Sequence, residues 1–292
     1  MTTTSTDQAT TTPADQATAA ASGSAATAAF AQKTRNGADT SKERVDTLAS
    51  ALIGAVHDIV RRHQVTYAEY DALKAWLIRV GQDGEWPLFL DVWIEHVVEE
   101  VANESREGSK GTIEGPYYVP GAPELAARAA LPMRSGEQGT PLVFQGRVTS
   151  VDGTPLPGAT IEMWQADDAG FYSQYAPGLP EWNLRGTVRA DEQGHFAIRT
   201  IEPAPYQIPT DGACGQLIAT AGWHAWRPAH LHLKVSAPEH RLITTQLYFK
   251  GGTHIEDDIA QAVKPELILD PVPAADGQGR EVTYDFTLDR SN

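Results

Sequence analysis

Residues 227–235 read Arg-Pro-Ala-His-Leu-His-Leu-Lys-Val, and from His230 onward the segment alternates as a half-buried strand does. On a strand, residues i and i+2 project from the same face. The imidazoles of His230 and His232 are therefore expected to point together, with Leu231 buried on the opposite side. Pro228 restrains the entry to the strand. The stretch predicts a strand that presents two histidines side by side.

Similar short segments recur after residue 104, where glycine and proline become frequent and turn signals such as Asp152-Gly153 separate the runs. Many short strands at this spacing favour an antiparallel sandwich or barrel over alternating βαβ units. The other predicted strands cover residues 142–148, 160–165, 194–200, 244–249 and 282–288.

In residues 43–104 the apolar side chains recur at the three- and four-residue spacing of helices. Thr66 followed by Glu69 is a capping-box signature that begins a second helix, which Gly81 ends, and a third apolar segment runs over residues 86–101. Such helices form either an internal layer or a dimer interface, and the pattern leaves both open. The first helix carries an apolar stripe made of Val45, Leu48, Leu52, Val56, Ile59 and Val60.

The chain has 292 residues, enough for one large domain or two small ones. Its first 42 residues are mainly Thr, Ala, Ser and Gln, which bury too little to offset the entropy of ordering, so they predict a disordered tail. The predicted fold class is mainly β with a helical N-terminal region. Its three parts are a tail (1–42), a helical dimerisation region (43–104) and an antiparallel β-sandwich catalytic domain (105–292).

Composition narrows the class of partner. The 38 acidic residues outnumber the 23 basic ones, giving a formal net charge of −15, which disfavours nucleic acid and anionic lipid as partners. A single cysteine, Cys214, cannot form an internal disulfide. No apolar run approaches the roughly 20 residues of a membrane helix, and the N-terminus lacks the pattern of a secretion signal. We therefore expect a cytoplasmic protein without membrane insertion.

Two neutral imidazoles on one strand face make half of a site for a first-row metal. A carboxylate could complete the site, and Asp211, Glu239 and Asp257 are available without one being singled out. Tyrosine is the other option. A free tyrosine has a pKa near 10, so its ligation at neutral pH needs a strong Lewis acid, which points to ferric iron. The tyrosines of the strand region are Tyr172, Tyr175, Tyr206 and Tyr248.

Several motifs, in order along the chain, resemble those of the intradiol ring-cleaving dioxygenases. The likeness covers residues 43 to 290, and its helical region and early motifs are most similar to the catechol 1,2-dioxygenases of actinobacteria. The motifs are TIEGPYYVPGAP (112–123), PGA (157–159), WQAD (164–167), GFYS (170–173), NLRG (183–186), PYQIP (205–209), RPAHLH (227–232) and TTQ (244–246).

The resemblance implies one ferric iron per chain, Fe(III), held by four side chains. Tyr206 corresponds to the axial tyrosine that leaves the metal when catechol chelates, and it can accept a catechol proton. Tyr172 and His230 correspond to the equatorial ligands, and His232 to the other axial ligand. No flavin, nicotinamide or electron-transfer partner is implied.

The resemblance also implies the substrate site and the assembly. Arg227 and Gln246 match residues that lie against the bound ring and stabilise its developing negative charge. The expected substrates are catechol and dioxygen, and the product is cis,cis-muconate. The N-terminal helices would form a homodimer, and in related dimers a phospholipid occupies a hydrophobic tunnel there. The positions that match walls of the substrate pocket are Val92, Ile113, Pro116 and Tyr117.

The sequence is also compatible with three alternative functions. Chlorocatechol and hydroxyquinol 1,2-dioxygenases share the four ligands and differ only at the pocket walls, where methyl-sized changes alter preference by about 10–200-fold. A His-x-His zinc hydrolase would be colourless. A non-catalytic β-sandwich binding module would hold no metal.

Overall fold

The computed structural model describes residues 40–275 and 277–291. Four helices come first: α1 (Lys42–His63), α2 (Tyr67–Gln82), α3 (Trp86–Trp93) and α4 (Glu95–Asn103). The predicted disordered tail, residues 1–42, lies outside the described residues except for its last three. Of these, Ser41 caps α1 by accepting from the amide of Arg44, and Lys42 is already helical.

The capping box predicted at Thr66 is present. The amide of Glu69 donates to the Thr66 hydroxyl, and the Glu69 carboxylate accepts from the Thr66 amide. The third apolar segment is two helices rather than one, because the backbone leaves helical geometry at Ile94. The two shorter helices can then pack different faces against the rest of the chain.

The strands follow, and half of them lie in the segments where alternation predicted strands. The strands are β1 (Glu124–Leu125), β2 (Arg128–Ala130), β3 (Pro141–Ser150), β4 (Thr160–Gln165), β5 (Arg185–Arg189), β6 (His195–Ile201), β7 (Tyr206–Gln207), β8 (Trp226–Arg227), β9 (His230–Ser236), β10 (Ile243–Phe249), β11 (Ile268–Leu269), β12 (Val272–Pro273), β13 (Arg280–Thr283) and β14 (Phe286–Leu288). Six strands of two or three residues, β1, β2, β7, β8, β11 and β12, were not predicted. Nor were β5, whose residues are nearly all buried and so do not alternate, and a short helix, α5 (Ala213–Ala221).

Two six-stranded sheets share one apolar core, which confirms the sandwich. One sheet has the order β1-β5-β4-β9-β10-β11, and the other has β12-β13-β3-β6-β2 with β14 also on β3. Ile161 and Leu233 of the first sheet and Phe144 and Ile198 of the second are buried in the same core. The long central strands pair antiparallel, whereas each of the short strands β1, β2, β11, β13 and β14 pairs parallel with a longer strand, and β12 pairs antiparallel with β13.

The helical region is fixed to the sandwich at the start of α5. The indole of Trp76 donates to the carbonyl of Ala213 at 2.7 Å, and the amide of Cys214 donates to the carboxylate of Glu85 at 2.7 Å. A carboxylate at a helix N-terminus satisfies an amide that would otherwise lack a partner. Within the described residues, no helix combines the length and apolar character needed to cross a membrane.

Candidate metal centre

The histidine pair lies at the middle of the first sheet. Strand β9 runs between β4 and β10, with Trp164 and Gln246 opposite His232 on the two sides. The Nε2 atoms of His230 and His232 are 3.0 Å apart, and both side chains are buried. The predicted shared face is therefore found, and it faces the protein interior rather than solvent.

The ring orientation of His230 is fixed by its other nitrogen. Nδ1 lies 2.7 Å from the carbonyl oxygen of Pro228, which can only accept, so Nδ1 carries the hydrogen. Burial, and then the charge of Arg227, lower the pKa of His230 to about 3. The ring is therefore neutral at physiological pH, and its Nε2 presents a lone pair to the cluster.

Two tyrosines reach the same point from elsewhere in the chain. Tyr172 comes from the loop after β4, and its hydroxyl lies 3.0 Å from Nε2 of His232. Tyr206 begins β7, and its ring centroid is 5.3 Å from that of Tyr172 and 5.6 Å from that of His230. The structure thus brings together the four side chains singled out as ligands: Tyr172, Tyr206, His230 and His232.

Beside this cluster lies a buried polar network centred on Arg227. Its Nε and Nη2 donate to the two oxygens of Asp258, each at 3.0 Å, and Nη2 also donates to Oε1 of Gln246 at 2.8 Å. The hydroxyl of Tyr248 donates to the same Oε1 at 2.8 Å, and Nε2 of Gln246 donates to the Ile113 carbonyl at 3.0 Å. Arg227 and Gln246 are therefore direct neighbours.

The positions predicted as pocket walls fall in two places. Tyr117 stacks on Tyr172 with ring centroids 4.2 Å apart, and Ile113 and Pro116 are buried on the same segment. Next to them is a cavity of about 1180 Å³, between α3, α4 and residues 114–120. Gly115 lines it, but none of the four predicted wall residues does, and Val92 is buried in the common core.

Two family models together cover almost all of the described chain. The model described as "Catechol dioxygenase N terminus" matches residues 42–110, and the model described as "Dioxygenase" matches residues 113–290. The chain belongs to the intradiol ring-cleaving dioxygenase family.

Individual relatives of this dioxygenase agree with that assignment. The chlorocatechol 1,2-dioxygenase of Rhodococcus opacus is 39% identical over 251 residues, covering 84% of this chain and 97% of that protein. The catechol 1,2-dioxygenase of Acinetobacter baylyi is 34% identical, with 85% of each chain covered. The crystal structure of 3-chlorocatechol 1,2-dioxygenase from Rhodococcus opacus 1CP superposes with a TM-score of 0.82 at 47% identity, covering 86% of this chain and all of that one.

Intradiol dioxygenases use non-haem ferric iron, and the residues of this dioxygenase fit such an ion. The buried hydroxyl of Tyr206 has no hydrogen-bond partner of ordinary geometry among the described residues. Burial raises the pKa of both Tyr172 and Tyr206, so either phenolate needs a strong neighbouring cation. Two phenol oxygens and two imidazole nitrogens suit a ferric ion.

The carboxylate alternative is not supported within residues 40–275 and 277–291. No acidic side chain there groups with the His230–His232 pair at ligand distance. Asp257 instead lies 3.3 Å from Nε2 of His224 and 3.2 Å from Nδ1 of His254. Nδ1 of His224 accepts from the amide of Trp226, so Nε2 of the neutral ring carries a hydrogen and is poorly suited to bind a metal.

Two members of the dioxygenase's polar network were missed by sequence reasoning. Tyr248 was only one of several strand tyrosines, and Asp258 was not considered. One general rule could have pointed to Asp258: a buried arginine needs an acidic partner to balance its charge. That rule predicts an acidic partner for Arg227 but cannot choose it among 38 candidates.

Proposed function

We propose that this dioxygenase cleaves catechol between its two hydroxylated carbons, incorporating both atoms of dioxygen to give cis,cis-muconate. The observation that carries the proposal is the convergence of two tyrosines and two histidines. The Tyr172 hydroxyl and the two histidine Nε2 atoms lie in hydrogen-bond contact, and the Tyr206 ring is packed beside them.

In this proposal Tyr172, Tyr206, His230 and His232 hold one ferric ion per chain. When bound, ferric iron supplies Lewis acidity that favours the deprotonated catechol and makes its ring reactive toward dioxygen. His230 contributes a fixed lone pair, because the Pro228 carbonyl holds the hydrogen on its other nitrogen. Tyr206, as the phenolate, would accept a catechol proton on its oxygen and become the neutral phenol.

Arg227 and Gln246 act on the substrate as a unit. Burial alone would lower the pKa of Arg227, but Asp258 raises it, so the guanidinium stays charged in the interior. A positive charge in this low-dielectric site stabilises negative charge that develops on the ring. In this proposal the wall of the substrate pocket consists of Ile113, Pro116, Tyr117 and Val92.

Chlorocatechol is the second candidate substrate, since the Rhodococcus opacus relatives that share 39% and 47% identity with this chain are chlorocatechol dioxygenases. Hydroxyquinol is the third candidate substrate. The ranking is tested by kcat/KM for catechol, 3-chlorocatechol, 4-chlorocatechol and hydroxyquinol under one set of conditions. Catechol as the best substrate supports the first proposal, and a chlorocatechol as the best substrate replaces it with the second.

The reaction class is tested by a visible spectrum of the purified protein before and after anaerobic catechol. Tyrosinate bound to ferric iron gives a charge-transfer band that colours the protein red, and chelation of catechol should shift that band. Protein that stays colourless after reconstitution with ferric iron would contradict the proposed centre and favour the zinc or binding-module alternatives.

We also propose that the chain divides into its three parts at residues 42 and 104. The N-terminal helices of two copies would form a homodimer. None of the residues of α1 is buried, so this helix does not form an internal layer within the chain. Its stripe is exposed, with Leu52 at 67% and Ile59 at 53%. A second copy would cover these residues, and a phospholipid could occupy the apolar space between the copies.

A further inference from the structure

The carboxylate of Asp258 holds Arg227 in a single orientation. Both side chains are 2% exposed, and both carboxylate oxygens are used, one on Nε and one on Nη2. A two-point contact of this kind fixes the plane of a guanidinium as well as its position. The third nitrogen, Nη1, takes no part in these bonds.

Asp258 is itself held rigidly. Its oxygens accept from the amides of Ala260 and Ala262, at 3.1 Å and 3.2 Å. The amide of Ile259 donates to the carbonyl of Trp226, so the segment that carries Asp258 is bonded to strand β8, which carries Arg227. The carboxylate is therefore fixed relative to both the backbone and the side chain of its partner.

The bond from Asp258 determines what the rest of the guanidinium can reach. Nη2 is shared with Oε1 of Gln246 at 2.8 Å and with the Tyr248 hydroxyl at 3.3 Å. Rotation of the guanidinium would disturb Gln246 and Tyr248 together.

We infer that Asp258 is a positioning residue for ring cleavage, acting through the orientation of Arg227. This inference rests on the proposed function, in which Arg227 lies against the bound ring. The hydrogen bonds of the Asp258 carboxylate go to Arg227 and to the amides of Ala260 and Ala262, and not to any of the four proposed ligands. The contribution of Asp258 is to keep the guanidinium directed at the pocket. Without the Asp258 carboxylate, the Arg227 side chain could adopt other rotamers.

The test is Asp258→Asn, which keeps the shape but removes the charge and turns an amide toward the guanidinium. The matched control is Asp257→Asn, the same change one residue earlier, on a side chain that is 57% exposed and meets His224 and His254 instead. Each variant is assayed with catechol and with 3-chlorocatechol. Iron content, the charge-transfer band and thermal stability are also measured.

D258N should retain iron and the red colour while kcat falls by at least about tenfold on the better substrate. The loss should stay below the roughly 10²–10³-fold seen when an electrostatic donor itself is removed. D257N should keep kcat within about twofold. Because the inference places the effect of Asp258 on turnover in the orientation of Arg227, kcat of R227Q/D258N should fall no further than kcat of R227Q alone, a non-additivity that a general packing role would not produce.

Three results would overturn the inference: wild-type kcat in D258N, an equal loss in D257N, or additive losses in the double variant. If D258N does not fold, Asp258→Glu replaces it, since the extra methylene displaces both oxygens. A folded, iron-loaded D258E protein with wild-type kcat would also contradict the inference. Wild-type protein without iron or turnover would instead refute the proposed function, so the two failures are distinguishable.

Discussion

Nε2 of His230 faces Nε2 of His232 at 3.0 Å in the buried middle of a sheet. The Pro228 carbonyl keeps the hydrogen of His230 on the opposite nitrogen, so a lone pair is directed into the cluster. This arrangement distinguishes a histidine that can bind a metal from an ordinary buried histidine. In the ordinary case both ring nitrogens would form hydrogen bonds with the protein.

Replacing His230 with alanine should abolish most of the bound iron, because the remaining donors cannot supply its fixed lone pair. His240→Ala is the matched control: its Nδ1 contacts the Pro238 carbonyl at 2.8 Å in the same local pattern, but at the partly exposed loop before β10. Iron per chain is measured by metal analysis after purification. Full iron and full activity in H230A would mean that the centre has been misplaced.

Tyr206→Phe should weaken iron binding and slow turnover, since it removes one phenol oxygen and the proposed proton acceptor. General acid–base groups contribute about 10²–10⁴-fold, so kcat should fall by at least about 10²-fold. Tyr70→Phe, on the exposed side of α2, controls for the same change at a surface tyrosine. Wild-type kcat in an iron-loaded Y206F protein would exclude the proton-accepting role.

Local patterns were sufficient to predict the main elements of this fold. The alternation of residues 230–235 predicted β9, and Thr66 with Glu69 predicted the start of α2. Residues 282–288 were predicted as one strand but form β13 and β14. Between these two strands, the backbone at Tyr284 passes so close to Gly146 that a Cβ atom on residue 146 would overlap the Tyr284 carbonyl oxygen.

The residues of the candidate metal centre were harder to predict from local sequence patterns than the strands and helices were. Strand periodicity paired His230 with His232, but Tyr172 and Tyr206 look like ordinary half-buried aromatics in their own segments. Only the resemblance to a family separated them from Tyr175 and Tyr248. Asp258 lies 31 residues from Arg227, a pairing that no local pattern encodes.

Arg185 should be essential for the shape of the pocket. It is fully buried, and it donates to the Ser173 hydroxyl at 2.7 Å, the Ser173 carbonyl at 3.0 Å and the Tyr117 carbonyl at 2.8 Å. Charged hydrogen bonds contribute about 1.5–3 kcal/mol each, so Arg185→Met should cost several kcal/mol of unfolding free energy. Denaturant unfolding checks this, with the exposed Arg189→Met as control; similar losses in both variants would contradict it.

Glu85 should make stability depend on pH. Burial raises its pKa, although the Cys214 amide opposes the shift, so the native state binds a proton more tightly than the unfolded state. Stability should therefore fall as pH rises from the ordinary glutamate value near 4.3 through the raised native value. Glu85→Gln should remove this component. Unfolding free energies of both proteins from about pH 4 to about pH 7 give the difference, and parallel curves would contradict the prediction.

Leu52→Glu should dissociate the proposed dimer. The stripe on α1 repeats every three or four residues and is exposed along its length, whereas Ser50 lies about 160° around the helix from Leu52 at 100° per residue. Ser50→Glu therefore adds the same charge to the opposite face and should leave the assembly intact. Molar mass by light scattering, measured across protein concentrations, distinguishes the variants. A monomeric wild type, or equal masses for L52E and S50E, would contradict a dimer formed through the stripe.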